Sequence, residues 1–156
     1  MVTGILHAGL APVIVVADVK PNLVLVAVVL VAAEFGFLPG VLWAFVAGLT
    51  ANLLVPAPLG SIPLALLLVA AVVAGGERLL GRIGLVYPVV ATLVGSILAD
   101  GIALLVFRLV ADPIQVGIPL ELILPAAFLN AAIAALFAVP LRLLVRRYAP
   151  EERPAW

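Results

Sequence analysis

Residues 16–24 read VADVKPNLV and form the first polar interruption in a chain that is otherwise almost continuous hydrocarbon. Two charges, a proline and an asparagine lie within this stretch, with long apolar runs on both sides. A bilayer satisfies backbone polar groups only inside helices, so clusters of proline, glycine and charge mark the ends of spans. We therefore predict that residues 16–24 are a turn between two membrane-spanning helices.

The composition of the whole chain agrees with a membrane protein. Of its 156 residues, 67% are hydrophobic and 10% are charged, and the mean hydropathy is +1.41. A soluble domain is about half apolar and a quarter charged. A span takes roughly 20 apolar residues, which leaves room for about six spans in one integral membrane domain, 1–156. The lack of cysteine excludes disulfides and thiolate metal sites. A net charge of zero provides no surface for nucleic acid.

Four further clusters of glycine, proline or charge divide the chain. With the first, they are ADVKPN (17–22), GFLPG (36–40), PAPLG (56–60), GGERLLGR (75–82) and ADPIQVGIP (111–119). The predicted spans are about 1–16, 22–37, 40–55, 61–76, 83–110 and 119–147. The fold class is therefore an all-α, six-helix membrane bundle. Its first helix is short, about 24 Å long against a bilayer hydrocarbon core of roughly 30 Å. Because residues 1–16 have no positively charged n-region, we do not predict a cleaved signal peptide there.

The distribution of lysine and arginine predicts the orientation. Cytoplasmic loops carry an excess of these residues. Six spans with both termini in the cytoplasm place two of the eight outside, Lys20 and Arg108. The other six are then inside, and four of them lie in or near the C-terminal tail, 148–156. The six are Arg78, Arg82, Arg142, Arg146, Arg147 and Arg153.

Polar residues within the spans are candidates for function, because ionisable groups in a bilayer are costly. They are Asp100, Asn52, Asn130, Glu34 and His7. Ser96 and Asp100 share a helix face, but a serine nucleophile needs a base and an oxyanion hole, and His7 is the only histidine. We therefore predict no catalytic residue, cofactor or metal. Hydrogen bonding of Ser96 to its own backbone or to Asp100 is the simpler reading.

Small residues recur at four-residue intervals in three spans, a pattern that lets helices approach closely in lipid. The predicted packing residues include Gly48, Gly95, Ala99 and Ala131. The full sets are Gly40, Ala44 and Gly48 with Asn52; Ala91, Gly95, Ala99 and Ala103; and Ala127, Ala131 and Ala135. The second and fourth spans lack such sets, so we expect them to face lipid or a partner.

Asp100 and Asn130 lie at equal distances from the centre of the last predicted outer connection, near residue 115. Antiparallel helices joined there bring the two side chains to one depth. We predict a polar clasp in which the Asp100 carboxyl and the Asn130 carboxamide form a hydrogen bond that fixes the register. The alternative is that Asp100 faces a water-filled outer cavity.

Four features of the chain resemble the rod-shape-determining membrane protein family MreD. They are the short first span ending in VKPNLVLVAVV, the acidic Glu34 closing the second span, the third span and turn WAFVAGLTANLLVPAPLG, and a last span with an internal asparagine and a basic tail, LNAAIAALFAVPLRLLVRR. The resemblance covers essentially the whole chain. One position departs from it, because the family usually has aspartate where Asn52 stands. A role requiring a carboxylate there does not carry over.

The resemblance implies a non-enzymatic scaffold in the bacterial plasma membrane. It implies MreC, a bitopic membrane protein, as the direct partner, and RodA, its transpeptidase and, indirectly, MreB as members of the same elongation machinery that controls cell shape and peptidoglycan synthesis. It also implies a fold similar to the S-component subunits of energy-coupling-factor transporters. That likeness provides the alternative function, a vitamin-like small-molecule-binding subunit, since fold alone does not decide function.

Overall fold

The computed structural model describes residues 20–80, 84–110 and 120–148, and every regular element within these ranges is an α-helix. The helices are α1 (Leu23–Phe35), α2 (Phe37–Leu54), α3 (Ser61–Leu80), α4 (Val86–Val110) and α5 (Leu120–Tyr148). They correspond to the second to sixth predicted spans. The first predicted span, with His7, lies outside the described residues, as do Arg82 and residues 149–156.

Three of the described helices are long and apolar enough to cross a membrane: Phe37–Leu54, Val86–Val110 and Glu121–Val145. Their most apolar windows have mean hydropathies of 1.7, 2.3 and 2.3. The apolar parts of the other two helices, Leu23–Phe35 and Ser61–Glu77, are shorter. The predicted all-helical, membrane-type fold is confirmed at this level.

The predicted break at 36–40 is a single residue in the structure. Gly36 adopts φ 87° and ψ −168° between α1 and α2, and its N–H donates to the carbonyl of Ala32 at 3.1 Å. Pro39 lies in the first turn of α2, where a helix does not use its N–H groups. The apolar part of α3, Ser61–Glu77, agrees with the fourth predicted span at 61–76, and the helix itself continues through Gly75 and Gly76 to Leu80.

Helix α1 is the centre of the bundle. It contacts each of the other four helices, which follow one another in an arc from α2 to α5. Among the described helices, α2 contacts neither α4 nor α5. The expectation that the second span faces lipid is therefore wrong. Eight of its residues are buried: Val24, Leu25, Val26, Val28, Val29, Leu30, Ala32 and Ala33.

Bulky side chains of the central helix pack against small faces of its neighbours, which explains why a helix without a four-residue series of small residues is buried. The buried residues of α2 are Gly40, Ala44, Ala47, Gly48, Ala51 and Asn52. A Cβ on Gly40 would come within 2.7 Å of the Ala32 Cβ, so only glycine allows this approach.

Other small residues bring the arc helices together. A Cβ on Gly48 would meet the Pro63 Cα at 2.7 Å, and one on Gly95 would meet the Val69 Cγ1 at 2.9 Å. Ala99 and Ala131 are buried. Gly95 thus packs toward α3, not α5. On α5 the predicted Ala135 is exposed, and the buried alanines are Ala127, Ala131, Ala134 and Ala138.

Two contacts show that α1 and α5 run in the same direction. Asn22 contacts Asn130, and Glu34 contacts Arg142, each pair being 108 positions apart. The intervening helices alternate in direction. The α2–α3 turn comes near Asn22 around a common cavity, and Tyr87, at the start of α4, donates to the Val73 carbonyl of α3. We call the two ends of the bundle the Asn22 end and the Glu34 end.

Candidate functional site

A buried polar junction joins three helices near the Asn22 end. Asn22 caps α1, because its Oδ1 accepts from the N–H of Leu25 at 3.1 Å. The N–H of Asn22 donates to the Asn130 Oδ1 of α5 at 2.8 Å. The Asn130 Nδ2 donates to the Ser96 Oγ of α4 at 3.0 Å. Asn130 and Ser96 are 3% and 1% exposed, so water does not reach their polar groups. The hydrogen bonds of the junction satisfy these groups in place of water.

The predicted clasp between Asp100 and Asn130 does not form. The Asn130 carboxamide bonds to Asn22 and Ser96 instead. Ser96, one helical turn from Asp100 on α4, therefore forms the hydrogen bond with Asn130 that was predicted for Asp100. Gly95 and Ala99 face α1 and α3, which places Asp100 beside the gap between α3 and α4 and not against α5. The alternative that Asp100 borders a cavity agrees with its position.

Asn52 organises the turn between α2 and α3. Its Oδ1 accepts from the Gly60 N–H at 2.7 Å, and its Nδ2 lies 3.3 Å from the Pro58 carbonyl oxygen and 3.4 Å from that of Ala57. Asn52 is 3% exposed. One side chain therefore supplies both a donor and an acceptor to buried backbone groups. An aspartate carboxylate could serve the acceptor role only.

An ion pair joins α1 and α5 at the other end of the bundle. The Arg142 Nε donates to the Glu34 Oε1 at 2.5 Å. The two side chains are 17% and 9% exposed, respectively, so the pair is largely shielded. The predicted roles of these residues were separate, an acidic end of a span and a topology signal, and the structure unites them. Arg147 is exposed, and Arg78 and Arg146 lie in α3 and α5 near this end.

A partly open cavity of about 250 Å³ lies near the Asn22 end. It is bordered by α3, α4, the α2–α3 turn and the start of α1. Asp100 is the one charged residue among the described residues that line it. The lining residues are Asn22, Ala57, Pro58, Ser61, Ile62, Ala65, Leu66, Ala99, Asp100 and Ala103.

The polar side chains described above form hydrogen bonds and an ion pair that join helices and close the α2–α3 turn. Residues 20–80, 84–110 and 120–148 contain no group of three or more histidine, cysteine, aspartate or glutamate side chains that could hold a metal ion. Ser96 accepts from Asn130, and the structure places no histidine beside it within these ranges. What this geometry achieves is a fixed helix register at both ends of α1.

Sequence reasoning missed the partners at both ends of α1, although a signal for them was present. Asn22 and Glu34 are twelve positions apart, and so are Asn130 and Arg142. Equal spacing of a polar and an ionic group on two parallel helices allows both pairs to form together. In comparisons with known proteins, no family model, no curated protein and no solved structure matches this chain.

Proposed function

We propose that the chain is a non-enzymatic, multi-pass scaffold of the bacterial cell-elongation complex, in the plasma membrane, with MreC as its direct partner. The observation that carries the proposal is that features resembling MreD form the polar contacts between α1 and α5. The Pro-Asn-Leu turn bonds to the internal asparagine of the last span, and the acidic end of the second span pairs with the basic end of the last. Polar residues used in this way support a scaffold.

The length of the last helix supports a span through the whole bilayer. On α5, Glu121 and Arg142 are about 31 Å apart at 1.5 Å per residue, close to the roughly 30 Å hydrocarbon thickness. No charged residue lies between them. Asn130 lies about 13 Å from Glu121 on this scale. The Asn22 end of α1 and the neighbouring α2–α3 turn would then lie below the outer boundary, within the outer leaflet.

The α2–α3 hairpin has the chemistry required at that depth. Residues 35–76 contain no charged side chain. Leu53 and Leu59, beside and within the turn, are 71% and 84% exposed. The turn satisfies its backbone through Asn52 and contains two prolines, which lack an N–H. A turn in hydrocarbon must satisfy its polar groups internally.

Cysteine labelling in intact cells tests the orientation. With both termini cytoplasmic, Glu121→Cys is labelled by an impermeant maleimide, whereas Leu85→Cys is labelled only after the membrane is permeabilised. The basis is the positive-inside distribution of arginine. Both residues are exposed in the fold, so burial does not distinguish them. Labelling of Leu85→Cys in intact cells would reverse the proposed orientation.

Copurification tests the function. The tagged chain, extracted from its own bacterium, should retain a bitopic protein with a large outer domain, and its depletion should turn rod-shaped cells round. A matched extract of the Glu34→Gln variant is the control, because loss of the ion pair loosens α1 from α5. A partner that recognises the assembled bundle should be retained less by this variant, whereas a protein that adheres nonspecifically should be retained equally. If the extract contains no bitopic partner and the depleted cells keep their rod shape, the scaffold function is refuted.

Of the two spans expected to face lipid or a partner, the second is buried as α1, so we propose the exposed face of α3 as the contact for MreC. Leu64, Leu68 and Val72 follow one another at four-residue intervals and are 49%, 45% and 53% exposed. A photocrosslinker at Leu68 should capture MreC, and one at Leu49 of α2, which is 43% exposed, should not. Crosslinks from Leu49 alone would move the interface to α2.

The cavity beside Asp100 is the observation that favours the alternative, a small-molecule-binding transporter subunit. Its volume of about 250 Å³ is below the range of about 300–1,000 Å³ for drug-sized ligands. Among the described residues, no aromatic side chain lines it, so these residues offer a flat vitamin ring no stacking partner. A vitamin retained through purification at one molecule per chain would support the alternative and refute the scaffold as the principal role.

A further inference from the structure

We propose that the cavity beside Asp100 binds a small primary alkylammonium ion. The proposal does not rest on the scaffold function, since it follows from the chemistry of the cavity alone. No described residue forms a hydrogen bond or ion pair with the Asp100 carboxylate; the polar side chains nearest in the fold have other partners. A carboxylate in an apolar surrounding needs a cation or donors to offset the loss of water.

The charge of the cavity selects a cation. Asp100 is the one charged side chain in the part of the lining that the structure describes, so these residues give the cavity a formal negative charge. The Ser61 Oγ, which belongs to a residue that lines the cavity, donates its proton to the Pro58 carbonyl at 2.7 Å, so its lone pairs are left as acceptors. An ammonium group has three donors and no acceptor, and so complements a carboxylate and a hydroxyl oxygen.

The remaining walls favour an organic cation over a metal ion. Seven of the ten lining residues carry apolar side chains, among them Ile62, Leu66 and Ala99. These walls can cover a short alkyl chain but provide no oxygen ligands for a divalent metal, which takes about six. Cavity size limits the ligand further, because about 250 Å³ is smaller than a site for a drug-sized molecule. The ligand is therefore an amine with a few carbon atoms.

The ammonium group can come from two sources. Asp100 lies about 12 Å from Arg108 along α4 on the helical rise, so the cavity is below the outer boundary of the proposed span and open at one side. A free amine can enter from solution. The ethanolamine head group of a phospholipid has the same primary ammonium and can enter from the leaflet. Both would place the nitrogen at Asp100.

The experiment uses the full chain in nanodiscs of phosphatidylcholine and phosphatidylglycerol, which contain no primary amine. Binding of n-propylammonium is followed by saturation-transfer NMR, with 1-propanol as the neutral probe of the same shape. We expect saturable binding of n-propylammonium, binding of 1-propanol at least tenfold weaker, and a tenfold or greater loss in Asp100→Asn. Glu121→Gln, which removes an exposed carboxylate outside the cavity, should bind as the wild type does.

A second arm identifies the source. In nanodiscs that also contain phosphatidylethanolamine, native mass spectrometry should show this lipid retained by the wild type and lost from Asp100→Asn if the head group is the ligand. Binding of n-propylammonium without retained lipid assigns the site to a free amine. Ala103→Leu, which fills the cavity and keeps the carboxylate, replaces Asp100→Asn if that variant does not fold. Equal binding of propylammonium and propanol, or unchanged binding in the cavity variants, overturns the proposal.

Discussion

Replacing Asn52 by aspartate tests whether the α2–α3 turn depends on a side chain that both donates and accepts. The variant keeps the acceptor for the Gly60 N–H but removes the donor and places a carboxylate oxygen about 3.3 Å from the Pro58 carbonyl. A buried group left without its partner costs about 1–3 kcal/mol, whereas a membrane hydrogen bond contributes about 0.6 on average. Because the change adds repulsion at a site 3% exposed, we expect a loss of about 2 kcal/mol in the free energy of unfolding.

The assay is unfolding in mixed micelles of increasing dodecyl sulfate fraction, followed by circular dichroism and by the fluorescence of Trp43 in α2. The loss should shrink as the pH is lowered, because a protonated carboxyl can again donate to a carbonyl oxygen. Thr50→Val is the matched control. Its hydroxyl donates to the Val46 carbonyl of its own helix in an exposed position, so it should change stability by less than about 0.5 kcal/mol. Asn52→Asp as stable as wild type at neutral pH would refute the reasoning.

Two further predictions concern helix contacts and use the same unfolding assay. Glu34→Gln should cost about 2 kcal/mol, less than the 3–5 of a fully buried pair, because the Arg142 side chain keeps 17% exposure. The double variant Glu34→Leu, Arg142→Leu should recover most of that loss, and no recovery would mean that the pair is not the cause. Gly48→Ala should destabilise the protein by about 1–3 kcal/mol, because the new Cβ would lie 2.7 Å from the backbone Cα of Pro63, which cannot move aside. Gly101→Ala, with nothing within 4 Å, should be neutral or stabilising by up to about 1 kcal/mol, and equal effects at both sites would contradict the packing argument.

The sequence predicts helix class and approximate bounds because hydrophobicity and helix breakers act locally. The fifth and sixth spans were expected at 83–110 and 119–147, and α4 and α5 cover Val86–Val110 and Leu120–Tyr148. The break at 36–40 was too wide because Pro39 was read as a breaker, whereas a proline in the first helical turn loses no hydrogen bond.

The neighbours of each helix could not be read in the same way. Central and peripheral positions depend on which surfaces fit together, and the valine-rich α1 resembles a lipid-facing helix in composition. The predicted register of α4 against α5 was wrong by one helical turn for a related reason. Counting from the loop centre gives depth, but the face that Gly95 presents to Val69 determines that Ser96, and not Asp100, meets Asn130.

The pairing of α1 with α5 has a consequence for synthesis. The cap of α1 and the Glu34 carboxylate find their partners 108 residues later in the chain. At 5–20 residues per second, α1 waits about 5–20 s in the membrane before Asn130 and Arg142 are made. Until then the central helix carries an unpaired acidic group at one end and an unbonded amide at the other. Closure of the bundle is therefore a late event in biogenesis, and a chain interrupted before α5 leaves the Glu34 carboxylate and the Asn22 N–H without their partners.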